Sequence, residues 1–421
     1  MKPNTTSQSN PASIACQISL RELRSPPRSL ITWRLPHSLL AMGLVLCSAM
    51  TAPAQTYTIT KLAVPAGTTF DPMIPAMNPS MNNLGQVVGN TNVFTSRTWS
   101  AGPAFVWENG TYLSLPPLPS DAAGGVNAIS DSGLVVGWSP REHPSQILPH
   151  RAVWWRKSGA GYVVGDWNAL LLPNFPNYPL LLREASGISH DGQFVAFRAT
   201  NIVSERLFAA VAQLNHSGEI IAMRSIDTFG NPAVTLLSSK AVNPYFNAST
   251  STVRLAGSGT TQDGVTHRCL WEWDVVTGSI TMAERSSPNL FVDVILEDVN
   301  GFGEAAGWGI KAGGGTQSCF WHEDGTLQPI PSLGGALSRA ASINDDGFVV
   351  GWSDRSGRNA ARHAFRWDAV TRITSDLNSL KSPTDTSGLE IRYAFKINDA
   401  GQILGAASKG SAWYTVLLTP Q

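Results

Sequence analysis

The fold is decided by Ser342-Ile343-Asn344-Asp345-Asp346-Gly347-Phe348-Val349-Val350-Gly351-Trp352-Ser353, which is followed by His363-Ala364-Phe365-Arg366-Trp367. A β-prone run enters a turn of Asn, Asp and Gly, and a second β-branched run leaves it. This is the pattern of an antiparallel hairpin. The later run, rich in Phe and Trp, is predicted to be the third strand of the same unit.

The hairpin pattern recurs seven times along the chain. Its returning runs end 44 to 61 residues apart, close to the roughly 40–50 residues of a propeller blade with insertions in loops. Each unit offers a hairpin, a Phe- or Trp-rich strand and a final run, and none has a sustained helical period. We therefore predict an all-β fold, a β-propeller of about seven four-stranded repeats. The returning runs end at Gly89, Gly137, Ala196, Gly257, Gly307, Gly351 and Gly405.

The two ends of the repeat region predict how the ring is completed. After its hairpin the seventh unit has one further strand, Ala412 to Leu418, and lacks a fourth. The run Tyr57 to Leu62 precedes the first hairpin and has no unit of its own. We expect this N-terminal strand to lie beside the C-terminal strand and close the ring, because it would cover an exposed edge.

Two segments depart from the repeat. In the fourth unit, Ala241 to Asn243 is predicted to begin a hairpin whose turn is lengthened by residues 244 to 252. The segment Leu172 to Pro179 contains three prolines, which cannot donate to a strand ladder, so we predict a surface loop there.

Residues 1–54 are predicted to be a signal peptide with an extended N-terminal region. The apolar run Leu39 to Met50 follows four arginines and precedes Ala52-Pro53-Ala54, a small-x-small cleavage pattern. A membrane anchor or a buried helix is the alternative, but the run is short for a membrane span. We expect cleavage after Ala54, a single repeat domain over residues 55–421, and secretion to the extracellular space or the periplasm.

Charge and composition limit the classes of partner. Lys plus Arg and Asp plus Glu each number 30, and charged residues make up 14% of the 421 residues. With no basic block, the chain is not expected to bind nucleic acid, or to insert stably into a membrane after signal cleavage. We expect a monomer that binds a polysaccharide or a cell-surface protein.

No metal or cofactor is predicted. The Cys and His residues show no ligand-like spacing for zinc, and the Asn/Asp/Gly turns carry too few carboxylates for a calcium cage. Removal of residues 1–54 would leave Cys269 and Cys319. We place these in neighbouring units but in different registers of the third strand, so we expect two buried thiols and no disulfide.

Three tryptophans are the candidate ligand-binding residues. Trp138, Trp308 and Trp352 each follow the glycine that ends a returning strand. If they lie near one rim, their rings form a platform for sugars; the alternative is packing between blades. His190 and His363 are expected to be structural or exposed residues and not catalytic bases. The sequence contains no nucleophile elbow, phosphate loop or zinc-protease motif, so no catalytic residue is predicted.

The cycle of Ile-Asn-Asp-x-Gly, Val-Val-Gly and His363-Ala364-Phe365 resembles the HAF repeat family of bacterial extracellular repeat proteins, named after that tripeptide. The resemblance covers the whole chain after residue 54 and implies a secreted or surface repeat protein. Its other copies depart from the tripeptide: Pro103-Ala104-Phe105, Arg151-Ala152-Val153 and Ser318-Cys319-Phe320.

We therefore expect a secreted, noncatalytic binding or surface-interaction module for polysaccharide or protein. The alternative is a secreted carbohydrate-active enzyme with its site at the mouth of the propeller channel. Carboxylates, His and Arg converging from several blades would favour the enzyme, whereas an aromatic or featureless mouth would favour binding.

Overall fold

The computed structural model describes residues 55–62, 79–95, 98–119, 121, 124–143, 146–174, 180–226, 236–285, 290–357 and 361–421. These residues form a seven-bladed, all-β propeller of four-stranded antiparallel sheets. The predicted signal peptide lies outside the described residues. Within the described ranges, none of the helices is long and apolar enough to span a membrane.

The blades follow one another along the chain, after strand β1 (Tyr57–Lys61). Blade 1 contains β2 (Ser80–Met81), β3 (Val87–Thr95), β4 (Thr98–Glu108) and β5 (Thr111–Ser114). Blade 2 contains β6 (Gly125–Ile129), β7 (Val135–His143), β8 (Gln146–Ser158) and β9 (Gly161–Asp166). Blade 3 follows a short helix, α1 (Trp167–Asn174), and contains β10 (Leu180–Ile188), β11 (Phe194–Asn201), β12 (Leu207–Leu214) and β13 (Ile220–Ile226).

The remaining four blades repeat this order. Blade 4 contains β14 (Leu236–Asn247), β15 (Thr252–Thr261), β16 (Thr266–Asp274) and β17 (Ile280–Glu284). Blade 5 contains β18 (Asp293–Val299), β19 (Ala305–Ile310), β20 (Thr316–Trp321) and β21 (Leu327–Pro329). Blade 6 contains β22 (Gly334–Ile343), β23 (Phe348–Arg355), β24 (Arg362–Asp368) and β25 (Thr374–Asp376). Blade 7 contains β26 (Glu390–Ile397), β27 (Ile403–Lys409), β28 (Ala412–Pro420) and β1.

The N-terminal strand is the outer strand of blade 7. Strand β1 pairs antiparallel with β28, with Tyr57 opposite Pro420 and Lys61 opposite Val416. Tyr57 is fully buried in a cluster with Leu377, Leu389 and Val416. The edge of β28 is therefore covered by a strand from the other end of the described chain.

A β-bulge explains the glycine at the end of the Val-Val-Gly run. In blade 6 the pairing of β22 with β23 shifts between Ala340 and Ser342. This bulge pushes the backbone toward Gly351, where a Cβ atom would lie 2.1 Å from the Arg339 carbonyl oxygen. Only glycine accepts so close an approach. Blade 3 has Ala196 at this position, and its bulge is shifted by one residue along β10.

The apolar core lies between neighbouring blades. One cluster combines Ala306 and Phe320 of blade 5 with Val349, Phe365 and Trp367 of blade 6. Each sheet buries both faces in this way, so the third strands are nearly continuous apolar runs.

Two segments differ from the sequence-based predictions. In blade 4, β14 continues through Asn247 after a bulge between Val242 and Tyr245, so the turn does not begin at Pro244. The predicted loop at residues 172–179 partly belongs to α1, which reaches Asn174, and residues 175–179 are not described. Asp166 starts this helix by accepting a hydrogen bond from Asn168 N (2.8 Å).

Candidate ligand-binding site

The propeller has two faces. The turn face carries the turns that join the first and second strands of each blade, such as the Asn-Asp-x-Gly turn at residues 344–347. The far face carries the connections between second and third strands, such as residues 311–315. The polar residues of the repeat lie on the turn face, and the half-buried tryptophans lie toward the far face.

An asparagine belt joins successive blades on the turn face. In five blades the first asparagine of the turn donates its Nδ2–H to a backbone carbonyl of the next blade, at 2.8–3.2 Å. The same side chain accepts from backbone N–H groups of its own turn; Asn344 Oδ1, for example, accepts from Phe348 N at 2.9 Å. The belt residues are Asn82, Asn247, Asn300, Asn344 and Asn398. Blades 2 and 3 have Ser130 and Ser189 instead.

Three aspartates converge on the channel mouth, but each is already bonded on both oxygens. Asp345 accepts from the Tyr245 hydroxyl and from Gly301 N. Asp399 accepts from Asp345 N (3.0 Å) and from Asn83 Nδ2 (3.0 Å). Asp131 accepts from Asn83 N (2.8 Å) and Asn83 Nδ2 (3.2 Å). These carboxylates hold neighbouring blades together.

Tyr245 reaches Asp345 across an intervening blade. It starts in blade 4 and passes over Gly301 of blade 5, where a Cβ would fall 2.5 Å from the tyrosine ring. Burial raises the pKa of Tyr245 and also that of Asp345, although the hydrogen bonds to Asp345 act in the opposite direction. His190 lies beside this pair, with its ring 5.7 Å from that of Tyr245.

The channel below this mouth is narrow and its polar groups are paired. Lys396 Nζ of blade 7 lies 2.8 Å from Asp298 of blade 5, which also accepts from Ser342 Oγ at 2.6 Å. The cavity has a volume of about 30 Å³. This is room for one or two waters and far too little for a sugar ring. Among the described residues, no cluster of His, Cys, Asp and Glu fits a metal ion.

Toward the far face, an aromatic–arginine ladder crosses blades 5, 6 and 7. It consists of Trp308, Arg339, Trp352, Arg362 and Tyr393, all half-buried. The Arg339 guanidinium lies 3.9 Å from the Trp308 ring centre, and that of Arg362 lies 3.7 Å from the Trp352 ring centre. Arg362 also donates to the Tyr393 hydroxyl (3.0 Å). These cation–π contacts order the five side chains as one surface.

The two arginines of the ladder differ in their pairing. Arg362 forms an ion pair with Asp354 at 3.1 Å. Arg339 has no hydrogen bond or ion pair to any described residue, and its Nε is buried without a partner. Desolvation lowers the pKa of Arg339, while the Glu297 carboxylate raises it. Arg339 therefore has unused donors between two tryptophan rings.

The structure brings together two of the three predicted tryptophans. Trp308 and Trp352 lie on either side of Arg339 in the ladder. Trp138 lies in blade 2, where it stacks on His150 (ring centres 4.4 Å apart) and covers Gly125. The rings of Trp308 and Trp352 each face an arginine, so a sugar that stacked on those faces would have to displace it.

His363 and the cysteines occupy structural positions. His363 Nδ1 lies 2.7 Å from Asp376 Oδ2, and the histidine is buried. Cys269 and Cys319 are free, buried thiols whose pKa is raised by burial to about 12. The predicted difference in register between them is confirmed. Cys269 lies five residues before Asp274, whereas Cys319 lies three residues before His322, the residue at the same turn position of blade 5, so the two cysteines differ by two residues in register.

The pairing of the second and third strands corrects the predicted copy of the tripeptide in blade 5. Phe365 of blade 6 pairs with Gly351, as Cys319 pairs with Gly307. The equivalent of His-Ala-Phe is therefore Gln317-Ser318-Cys319, one residue earlier than predicted. Bulges in the first strands do not affect this count, because the second and third strands pair without a shift here.

Sequence reasoning missed the asparagine belt and the ladder arginines. The recurring asparagine was interpreted only as turn chemistry, although its recurrence at the first turn position was a usable signal. Arg339 and Arg362 lie in different strands from the tryptophans that they contact. No local pattern links them, so only the tertiary structure brings them together.

Comparisons with known proteins give only distant structural likenesses. No protein-family model matches the chain, and a search of curated proteins found no match. Among solved structures, the β-propeller domain of the Trilobed protease from Pyrococcus furiosus is similar at 9% identity and a TM-score of 0.49. That match covers 85% of this chain and 96% of that domain.

Two other similar structures belong to longer proteins. A puromycin-hydrolyzing peptidase of Mycobacterium tuberculosis matches at 12% identity and a TM-score of 0.42, over 82% of this chain and 61% of that one. A Trypanosoma rangeli sialidase matches at 9% identity and a TM-score of 0.36, over 74% and 55%. The chain spans little more than half of these two proteins, and the propeller assignment rests on the strand pairing.

Proposed function

We propose that this chain is a secreted, noncatalytic binding module that docks a protein through the aromatic–arginine ladder. The observation that carries the proposal is Arg339, a half-buried cation without an ion-pair partner among the described residues, held between Trp308 and Trp352. Tryptophan, tyrosine and arginine are the residue types that dominate protein interface energetics. An acidic side chain of the partner would pair with Arg339.

The chemistry of the two faces favours binding over the enzyme alternative. A general base needs a free lone pair within reach of a substrate. Each oxygen of the aspartates at the channel mouth already accepts a hydrogen bond, and the channel has no room to bring a saccharide within their reach. A polysaccharide is the second candidate partner for the ladder, but the guanidinium groups occupy the tryptophan faces that a pyranose would use.

The docking proposal is tested with the purified protein immobilised and exposed to cell-surface proteins and, in parallel, to a glycan array. We expect a protein partner whose retention falls at least about tenfold for Arg339→Gln, which removes a charge-assisted contact. Trp138→Ala is the control, because Trp138 has the same place in the repeat as Trp308 and Trp352 but lies outside the ladder. Equal loss with both variants would contradict docking at the ladder.

Two further outcomes are decisive. Retention of a glycan that depends on Trp352 but not on Arg339 would replace the protein partner with a polysaccharide. Turnover of a retained glycan would support the enzyme alternative.

Secretion is tested separately by N-terminal sequencing of the protein from the culture supernatant, which should begin at Gln55. Retention in the cytoplasm with an intact leader would contradict secretion.

A further inference from the structure

A cleft opens on the turn face over the seam between blades 2 and 3. Its volume is about 430 Å³, within the roughly 300–1,000 Å³ of small-molecule sites. Its walls are the turns at residues 132–133, 191–192 and 215–218 and the end of β8, including Arg156. It lies far from the ladder, on the opposite face and on different blades.

Arg156 is the first residue lining this cleft that departs from the repeat. In blades 4 and 6 the same register position holds Asp274 and Asp368, whose carboxylates cap their own turns by accepting from Val276 N (2.8 Å) and Val370 N (2.7 Å). An arginine cannot accept a hydrogen bond, so this position in blade 2 serves no such role.

The Arg156 guanidinium is instead held in place without being neutralised. It lies 4.6 Å from the Trp154 ring centre. It also rests against Gly218, where a Cβ would fall 1.4 Å from one guanidinium nitrogen. No described residue forms a hydrogen bond or ion pair with it, and the nearest carboxylate influence is Glu219. The result is a preorganised cation with unused donors.

Gln193 is the second departure. In blades 1 and 7, Gln86 and Gln402 occupy this position, and the belt asparagine four residues earlier donates to each of them (2.6 and 2.8 Å). Blade 3 has Ser189 instead, whose hydroxyl is engaged with Asp191 and Phe194 N. The side-chain amide of Gln193 is therefore exposed and forms no hydrogen bond to a described residue.

His216 and Ser217 supply further polar groups at the cleft. Both are exposed, and neither side chain is hydrogen-bonded to a described residue. The two breaks in the repeat thus release a cation and an amide toward the same space, beside an imidazole and a hydroxyl. This combination suits a ligand with one negative charge and several hydroxyl groups.

We propose that the cleft between blades 2 and 3 binds an acidic saccharide, with a uronate carboxylate on Arg156 and sugar hydroxyls on Gln193, His216 and Ser217. This goes beyond protein docking at the ladder and does not depend on it. A uronate can come from a free sugar acid or from a residue of an acidic polysaccharide, and the two sources share this chemistry.

The test is calorimetric titration of the purified protein with D-glucuronate, a galacturonate oligomer, D-glucose and acetate. We expect saturable binding of glucuronate, with tighter binding of the oligomer if a polymer is the source. Arg156→Gln should weaken binding at least about tenfold and Gln193→Ala about threefold. Arg339→Gln is the matched control and should leave uronate binding unchanged, so failure of the ladder proposal and failure of this one are distinguishable.

Several results would overturn the proposal. Acetate binding as tightly as glucuronate would reduce the cleft to an anion site, and glucose binding equally would remove the role of Arg156. Absence of saturation up to about 10 mM would exclude a site of useful affinity. Because Arg156 also packs on Trp154, unfolding curves of both variants are recorded; Gln193 is exposed, so its effect on binding is read without a packing change.

Discussion

Blades 4, 5, 6, 7 and 1 differ from blades 2 and 3 in one residue of the same turn. The first group has an asparagine that donates to the next blade, whereas Ser130 and Ser189 cannot reach so far. In blades 1, 5 and 7 the asparagine donates to a glutamine or glutamate four residues later, as to Gln402. Where it is absent, Gln193 is free. Where the repeat is intact, its polar side chains are hydrogen-bonded to each other. Where a residue of the repeat is replaced, a polar side chain is left able to bind a ligand.

The largest effect is expected when blade 6 is given the alanine that blade 3 has at the equivalent position, Ala196. Gly351→Ala places a Cβ 2.1 Å from the Arg339 carbonyl, so the bulge must move as it does opposite Ala196. We expect a loss of about 3 kcal/mol in the free energy of unfolding, measured by denaturant titration. Gly161→Ala, with no atom within 4 Å, should change it by less than about 0.5 kcal/mol. Equal effects would refute the close-approach argument.

The asparagine belt predicts the next largest difference. Asn344→Ala removes two hydrogen bonds and leaves the Asn398 carbonyl and the Phe348 N–H buried without these partners. We expect a loss of about 2–3 kcal/mol. Ser189→Ala removes contacts within one turn only and should lose about 1 kcal/mol. A larger loss for Ser189→Ala in denaturant unfolding would contradict the comparison.

The Tyr245–Asp345 contact predicts a pH dependence. The folded-state pKa of Asp345 is raised, so the folded protein binds this proton more tightly than the unfolded chain does. Its contribution to stability is therefore greatest at acid pH and falls as the pH rises from the unfolded pKa, about 3.9, to the raised folded value. Asp345→Asn should flatten that part of the curve of unfolding free energy against pH. An unchanged slope would show that other groups control it.

The smallest effect concerns Cys269 and Cys319, which lie in the third strands of blade 4 and blade 5. Both thiols are buried with a pKa near 12, so neither should react with a thiol reagent in the folded protein at pH 8. Cys319→Val introduces the residue that blades 2 and 7 carry there, Val153 and Val416, and should change stability by less than about 1 kcal/mol. Rapid labelling of Cys319 alone would refute equivalent burial.

Much of the fold was predictable because its signals are local. The seven hairpins, the four strands of each unit and the glycine turns follow from alternating apolar residues and from turn chemistry. Two predicted positions were wrong. In blade 4 a bulge sets two residues, 243 and 244, opposite one, and the predicted turn was misplaced there. The copy of the tripeptide at Cys319 was placed one residue late, although no bulge interrupts that pairing.

The candidate sites were less predictable. Trp308 and Trp352 were identified from their place in the repeat, but Arg339 was not, because it contacts them from another strand. Arg156 and Gln193 lie 37 positions apart in the sequence and carry no motif. They become notable only when strand register shows which residues they replace in the other blades.

The sequence by itself determined the repeat, since strand and turn preferences act within a few residues. The tertiary structure alone decided which polar side chains are hydrogen-bonded. Asn398 donates to the carbonyl of Asn82, 316 residues away, and through that contact blade 7 meets blade 1. Gln193 and Gln402 are the same residue type at the same turn position. The side chain of Gln402 accepts a hydrogen bond from Asn398, whereas that of Gln193 forms none to a described residue. The difference depends on the asparagine that each turn has or lacks, and on the blade that lies beside it.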